Sequence, residues 1–246
     1  MSSVSQIAVA KDYFASLDAP AHALASTSPL HERRSDTLSR AASDAVHASV
    51  LVSLWEDLVR GRLRVWYEST TADRVYLVAR LKRGYPSLNP DDCAVLIRIL
   101  CGEQLKVVAA EFGIAISTAS GRRQRALHQL DLAHRAIPLS LVLAAQRWAG
   151  VALVVSARSA VFEHRGELAL MVSVPKPVTA RMTALTRAEQ EVAQRLIEGD
   201  CRDEIALRRT TSAHTVTRQL SSIFKTLQIS GRCGLIRYAV ERGCFQ

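Results

Sequence analysis

LTRAEQEVAQRLIEGDCRDEIALRRTTSAHTVTRQLSSIFKTLQISGRCGLIRYAVERG, residues Leu185 to Gly243, is the stretch whose reading decides the fold. Thr186 followed three residues later by Glu189 is the spacing of a capping box, in which each side chain satisfies a backbone N–H of the other. Val192, Leu196 and Ile197 recur at helical spacing behind it, and Gly199 stands where a left-handed C-terminal residue is needed. A short second helix carries Glu204-Ile205-Ala206, and a residue as small as Ala206 lets two helices cross closely. Thr210-Thr211-Ser212 reads as a turn with Ser212 as the N-cap of a third helix. That helix places Val216, Leu220, Ile223 and Leu227 on one apolar stripe. Its other face shows Thr217, Arg218, Ser221, Ser222 and Lys225: hydroxyls and positive charge with no acid, which suits a groove lined by phosphates. A last helix buries Leu235, Ile236, Ala239 and Val240 and ends at Gly243.

Leu185–Val192 (LTRAEQEV), Glu204-Ile205-Ala206, Thr215-Val216, Ile223–Leu227 (IFKTL), Arg232, Leu235 and Ala239 together resemble the LuxR/FixJ/NarL-type helix-turn-helix domain, over 59 residues without a gap. The resemblance implies a four-helix DNA-binding domain of bacterial regulators with its third helix in the major groove. It implies that Thr215, Thr217, Arg218, Gln219 and Ser222 meet bases and phosphates, with Ser212 at the helix start beside them and Lys225 on the DNA backbone. Two departures stand out. Arg209-Thr210-Thr211 replaces the family's usual Leu-Gly-Ile, which bears on the turn, and Gln219 replaces a common His, which bears on base preference.

Shifting the chain by 97 residues lays Leu88–Gln146 on Leu185–Gly243 without a gap. Leu88/Leu185, Val95/Val192, Arg98/Arg195, Gly102/Gly199, Ala109/Ala206, Thr118/Thr215, Leu130/Leu227 and Arg135/Arg232 are identities, and they fall on caps, the crossing alanine and the core stripe. A second, divergent helix-turn-helix is therefore expected over 88–132, with Phe112-Gly113-Ile114 as its turn. Gly121 lies inside its third helix, at a cost of roughly 1 kcal/mol relative to Ala, and Arg123 falls where Leu220 packs in the other copy. Two readings of this copy stand side by side. In one, Arg122, Arg123 and Arg125 grip phosphates; in the other, the copy is a scaffold that has lost base reading.

Upstream, Val46, Val50, Leu51, Leu54, Trp55 and Leu58 recur at helical spacing and Gly61 closes them; residues 62–68 and 74–80 alternate around a turn at Thr70–Asp73. Asn89-Pro90 is a helix start, and Asp91-Asp92 favour the positive end of that helix. Pro138 opens an apolar helix that ends near Gly150; strands are expected over 151–156 and 160–174, with Glu163-His164-Arg165-Gly166 at the hairpin turn, and Pro175-Lys176-Pro177 reads as a stiff linker. The fold class is mainly α with small β-hairpins (α+β), built as two helix-turn-helix units, each preceded by a helix and a β-hairpin. The expected divisions are a mobile leader over 1–42, the divergent unit over 43–150, a hairpin and linker over 151–178, and the LuxR-type domain over 179–246. The repeated order predicts a pseudo-dimer within one chain, able to read half-sites about 34 Å apart if both copies bind. Trp55, Trp66 and Trp148 are expected in the core.

The 246 residues carry a formal net charge of +9, with 48% apolar and 22% charged residues, which fits a folded chain with an anionic partner. Cys93, Cys101, Cys201, Cys233 and Cys244 form no C-x-x-C, so reduced thiols are expected rather than disulfides or a metal knuckle. Cys201 and Cys233, beside Arg202 and Arg232, are candidates for oxidant sensing against the plainer reading of ordinary thiols. Apolar runs are too short to span a membrane and no secretory signal opens the chain. Phosphate-cradling glycine loops, G-x-S-x-G and H-E-x-x-H are absent, so no enzyme, cofactor or metal is expected. The function expected is sequence-specific binding of double-stranded DNA by a cytoplasmic, nucleoid-associated transcription regulator. The alternatives are an interaction protein whose degenerate units dock on RNA polymerase or another regulator, and a ligand-responsive regulator sensing through the 151–174 region. A homodimer stays open beside the intrachain pseudo-dimer.

Overall fold

The computed structural model describes residues 52–71, 73–81, 87–133, 136–151, 158–164 and 167–245. For Tyr67, Leu81, 158–164, 167 and 168 it gives the backbone path only. The leader expected over 1–42 lies outside these residues, as do most of the strand expected at 151–156 and Arg165-Gly166 of the hairpin turn.

The chain is mainly helical with one small antiparallel sheet. Helix α1 covers residues 52–59, and Gly61 turns the chain out of it at φ 70°. Strands β1 (Leu63–Thr70) and β2 (Arg74–Leu81) follow, with Thr71 Oγ1 donating to Asp73 Oδ1 at 3.0 Å in the turn. Helices α2 (Pro90–Leu100), α3 (Leu105–Glu111) and α4 (Ile116–Gln129) make the first helix-turn-helix. As Asn89-Pro90 predicts, the Asn89 side chain accepts from the Asp91 N–H at 2.9 Å and Pro90 opens α2. Then come α5 (Leu139–Trp148), β3 (Arg158–His164) and β4 (Glu167–Pro175). A 3₁₀ turn at Thr179–Arg181 leads into α6 (Arg187–Glu198), α7 (Arg202–Arg208), α8 (Ala213–Leu227) and α9 (Gly231–Glu241).

The two hairpins do not stand apart. Their inner strands pair antiparallel, from Arg74 opposite Pro175 to Arg80 opposite Ala169, giving one sheet in the order β1-β2-β4-β3. An antiparallel centre with a hairpin on either side relates the two by an approximate two-fold. Val75, Leu77 and Ala79 of β2 join Val172 and Val174 of β4 in an apolar core that continues through α1, α2, α5, α6, α8 and α9 without a break. α5 lies against β2, β4, α2 and α9. Every residue from Leu139 to Gln146 is buried, so this helix is covered on all sides, and all of them but Ser140 and Gln146 are apolar.

The repeat offset of 97 residues reappears in the backbone. Left-handed residues occur in matched pairs: Gly102 (φ 87°) with Gly199 (103°), Gly113 (62°) with Thr210 (52°), and Asp131 (61°) with Gln228 (54°). The packing is reciprocal. A Cβ on Gly102 would stand 3.2 Å from the Cys233 carbonyl carbon, and one on Gly199 would stand 3.3 Å from Ala136 Cβ, where Ala136 is the residue 97 positions before Cys233. Each unit's first turn thus packs where the other unit's fourth helix begins, the self-complementary pattern of a two-fold interface.

Polar atoms seal the same seam. Arg232 Nε donates to the Leu196 carbonyl at 3.0 Å and Nη2 to Ile197 at 2.9 Å, covering the open end of α6, while Nη1 donates across to the Ile137 carbonyl. Gln146 Nε2 donates to the carbonyls of Leu100 (3.0 Å) and Cys233 (3.3 Å), one from each half. The Glu68 carboxylate, raised above the usual range by burial, accepts the Leu139 N–H at 2.8 Å.

Two expectations change. Pro175-Lys176-Pro177 is not a free-standing spacer: Lys176 N–H donates to the Asp73 carbonyl at 2.7 Å, its Nζ pairs with Glu198 at 2.7 Å, and Pro177 bridges to Phe245. The segment is held at both ends because β2 and α6 are already fixed in one core. Trp55 is in that core at 1% exposure, but Trp66 and Trp148 are 40% and 49% exposed. Leu63 and Val65 turn inward, so strand alternation sets Trp66 on the outer face beside the register slip between Val65 and Tyr67, and the Arg80 guanidinium stacks 3.7 Å from its ring centre.

Gly102→Ala should test the seam. A Cβ there meets Gly234 Cα at 2.6 Å on a left-handed backbone, and strain plus overpacking sum to about 3 kcal/mol. Urea denaturation should show one cooperative transition shifted by that amount, with both halves losing stability together.

Candidate nucleic-acid interface

α8 is positioned from both ends. The Ser212 hydroxyl accepts from the Thr215 N–H at 3.0 Å at its start, and Gln228 closes it in the left-handed conformation. Val216, Ile223 and Leu227 are buried as the stripe requires, with Leu220 and Phe224 packed beside them. This turns Thr215, Arg218, Ser222 and Lys225 outward in one row, and all four are exposed. Thr217 and Ser221 flank the row, and Gln219 sits half-buried at its edge. The residues expected as a set in this unit therefore share one surface.

Their hydrogen bonds sort them by role. Thr217 Oγ1 donates to the Ala213 carbonyl (2.9 Å) and Ser221 Oγ to the Thr217 carbonyl (3.0 Å), so these hydroxyls face outward as acceptors. Ser212 and Thr215 exchange a hydroxyl contact of 2.9 Å at the cap. The Ser222 hydroxyl, nearby on α8, and the N–H and hydroxyl of Thr186 hold the Glu189 carboxyl of α6 below its usual range. Among the described residues no carboxylate pairs with Arg218 or Lys225. Gln219 Oε1 accepts from Arg209 Nη1 at 2.7 Å, and Arg209 Nη2 also lies 3.5 Å from Glu191.

The first unit has the same backbone and a different surface. Gly121 stands where α8 has Arg218, and His128 where it has Lys225. Arg122 pairs with Asp91 at 2.8 Å, and Arg125 makes a two-bond contact with Asp92 at 2.8 and 3.0 Å. Arg123 is half-buried, with its Nε enclosed and without a hydrogen-bond partner among the described residues. The carboxylates that cap α2 thus neutralise two of the three arginines expected to grip phosphate. Position for position, Asp92–Arg125 corresponds to Glu189–Ser222, so the inter-helix link is retained while the cation it holds is present only in the first copy. Around it Val107, Phe112 and Ile116 are exposed; the second unit has Glu204, Arg209 and Ala213 there.

Sequence reasoning assigned Asp91-Asp92 to the helix start alone and missed their bonds to α4, which join residues about thirty positions apart on two helices. It also missed the Arg209–Gln219 bond, which joins residues on two elements. Burial pushes the Cys93 and Cys101 thiols up to about 11 and that of Cys233 upward as well, which suits inert thiols; Cys201 is exposed at the start of α7. The described residues hold no cluster of His, Cys, Asp and Glu fit for a metal, and no described helix is long and apolar enough to cross a membrane. No family model matches the chain, and no curated protein matches it.

Thr210 is the strained point of this unit: an exposed β-branched residue at φ 52°, where the first unit has Gly113. Thr210→Gly should raise stability by about 1 kcal/mol, the left-handed penalty less the extra chain entropy of glycine. Thermal unfolding of the two proteins measures it, and an unchanged or lower midpoint rules out the strain.

Proposed function

We propose that this protein is a sequence-specific regulator of transcription that binds double-stranded DNA through α8. One observation carries this reading: on a helix-turn-helix backbone, α8 turns outward a face of hydroxyls, an amide and two cations, Arg218 and Lys225, neither of which pairs with a described carboxylate. Arg218 and Lys225 would neutralise phosphates, and Thr215, Thr217, Gln219 and Ser222 are of a size and polarity that reach base edges in a major groove. The net charge of +9 favours association with the same partner.

The two units divide the work. α4 offers Gly121 and His128 at the cation positions and arginines already bound to Asp91 and Asp92. Its exposed Val107, Phe112 and Ile116 favour a protein contact for this unit, with RNA polymerase or another regulator as the partner. The chain is then an internal pseudo-dimer with one base-reading helix.

Selection of bound DNA from a random duplex pool by the full chain tests this directly. The expected result is a single unsplit motif; two spaced half-motifs would assign base reading to both units, and no enrichment would leave only the protein-docking function. Lys225→Ala should weaken binding to every sequence alike and lower the salt slope by about 1. The double change Asp91→Asn with Asp92→Asn releases Arg122 and Arg125, so binding to all sequences should tighten and the salt slope steepen by up to about 2.

A further inference from the structure

Arg209 is the C-cap of α7, one residue before the left-handed Thr210, and its side chain is 17% exposed. It reaches across the turn to Gln219 at 2.7 Å and is steadied from behind by Glu191 at 3.5 Å. A guanidinium carries donors and no acceptor, so only the amide oxygen of Gln219 can face it. The orientation of that amide is therefore set by chemistry: Oε1 is turned to Arg209, and the Nε2 amine is left as the outward group. Gln219 itself lies at the margin of the exposed row, one turn from both Thr215 and Ser222.

We propose that Arg209 is a positioning residue which fixes Gln219 as a hydrogen-bond donor, so that this position of α8 selects guanine rather than adenine. The inference rests on the DNA-reading function proposed above. Adenine is recognised by a glutamine that uses both ends, the oxygen accepting from N6 and the amine donating to N7. Turning Oε1 to an adenine would give up a charge-assisted bond in a half-buried turn, which is stronger than the neutral bond gained. Guanine instead presents O6 and N7 side by side, two acceptors for the amine that Arg209 leaves outward. The first unit has no such device: Phe112 and Arg122 occupy the two positions, and Arg122 is bound to Asp91.

The test is selection of bound duplex DNA by the full-length wild type, Gln219→Ala, Arg209→Leu and Arg209→Phe at one salt concentration, with circular dichroism confirming the fold of each. Phe is the residue the first unit carries at this place, so Arg209→Phe serves as a second variant should Arg209→Leu fold poorly. In the wild type one motif position should be guanine, and Gln219→Ala should lose preference at that position alone. Either Arg209 variant, with the amide released, should move that same position toward adenine and change the guanine-to-adenine ratio by about tenfold, within the range for one bidentate pair. A variant motif identical to the wild type overturns the proposal, as does an even loss of affinity with the motif intact, which would make Arg209 a phosphate contact only. A wild type that enriches no motif overturns the DNA reading itself, and the proposal with it.

Discussion

The pairing of β2 with β4 is the constraint on which the rest of the structure depends. A hairpin alone is marginal in water, and among the described residues each half has one. Joining their inner strands removes two of the four exposed edges and lays Val75, Leu77, Val172 and Val174 on one face, against which α5 is buried from Leu139 to Gln146. α5 serves both halves: it is the last helix of the first unit and the helix that leads into the second hairpin. Neither half keeps its core without the other, because the same side chains line both.

The seam also fixes how the two helix-turn-helix units face each other. Gly102 admits the backbone of Cys233 and Gly234 and Gly199 admits the Ala136 methyl, each from the opposite unit, and Arg232 and Gln146 satisfy carbonyls drawn from both. A homodimer must assemble two identical chains to set such a geometry; here one chain carries it, so the two surfaces are free to differ. They do differ. The link from the first helix to the third is kept at Asp92–Arg125 and Glu189–Ser222, yet one copy uses its arginines to hold itself together and the other leaves its cations outward. The asymmetry arises from side chains on a symmetric backbone.

Much of this was legible beforehand. The capping box at Thr186–Glu189, the prolines at 90 and 138, the glycines at 61, 102 and 199 and the apolar stripe of α8 are local signals, read from residues within a few positions of one another, and the elements form where they place them. The repeat extended that legibility, since a register of 97 residues predicts matched turns wherever one copy is understood. Less legible was anything that depends on which element lies beside which. Pro175-Lys176-Pro177 has the composition of a spacer and becomes a seam because Asp73, Glu198 and Phe245 are brought to it. Trp66 sits in an alternating strand, and only the packing shows that the core takes the Leu63–Val65 face and leaves the indole outside.

The sequence by itself determined the helix-turn-helix units, their duplication and the row of Thr215, Arg218, Ser222 and Lys225, because helical periodicity and end-capping are short-range and the side chains on one face of a helix follow from spacing alone. Only the tertiary structure decided which of the charged residues remain available. Arg122 and Arg125 differ from Arg218 by what stands opposite them across the helix crossing, and Arg209 acts on Gln219 across a turn. A charge keeps or loses its reach through its neighbours in space, and those neighbours are chosen when the two halves close on a common core.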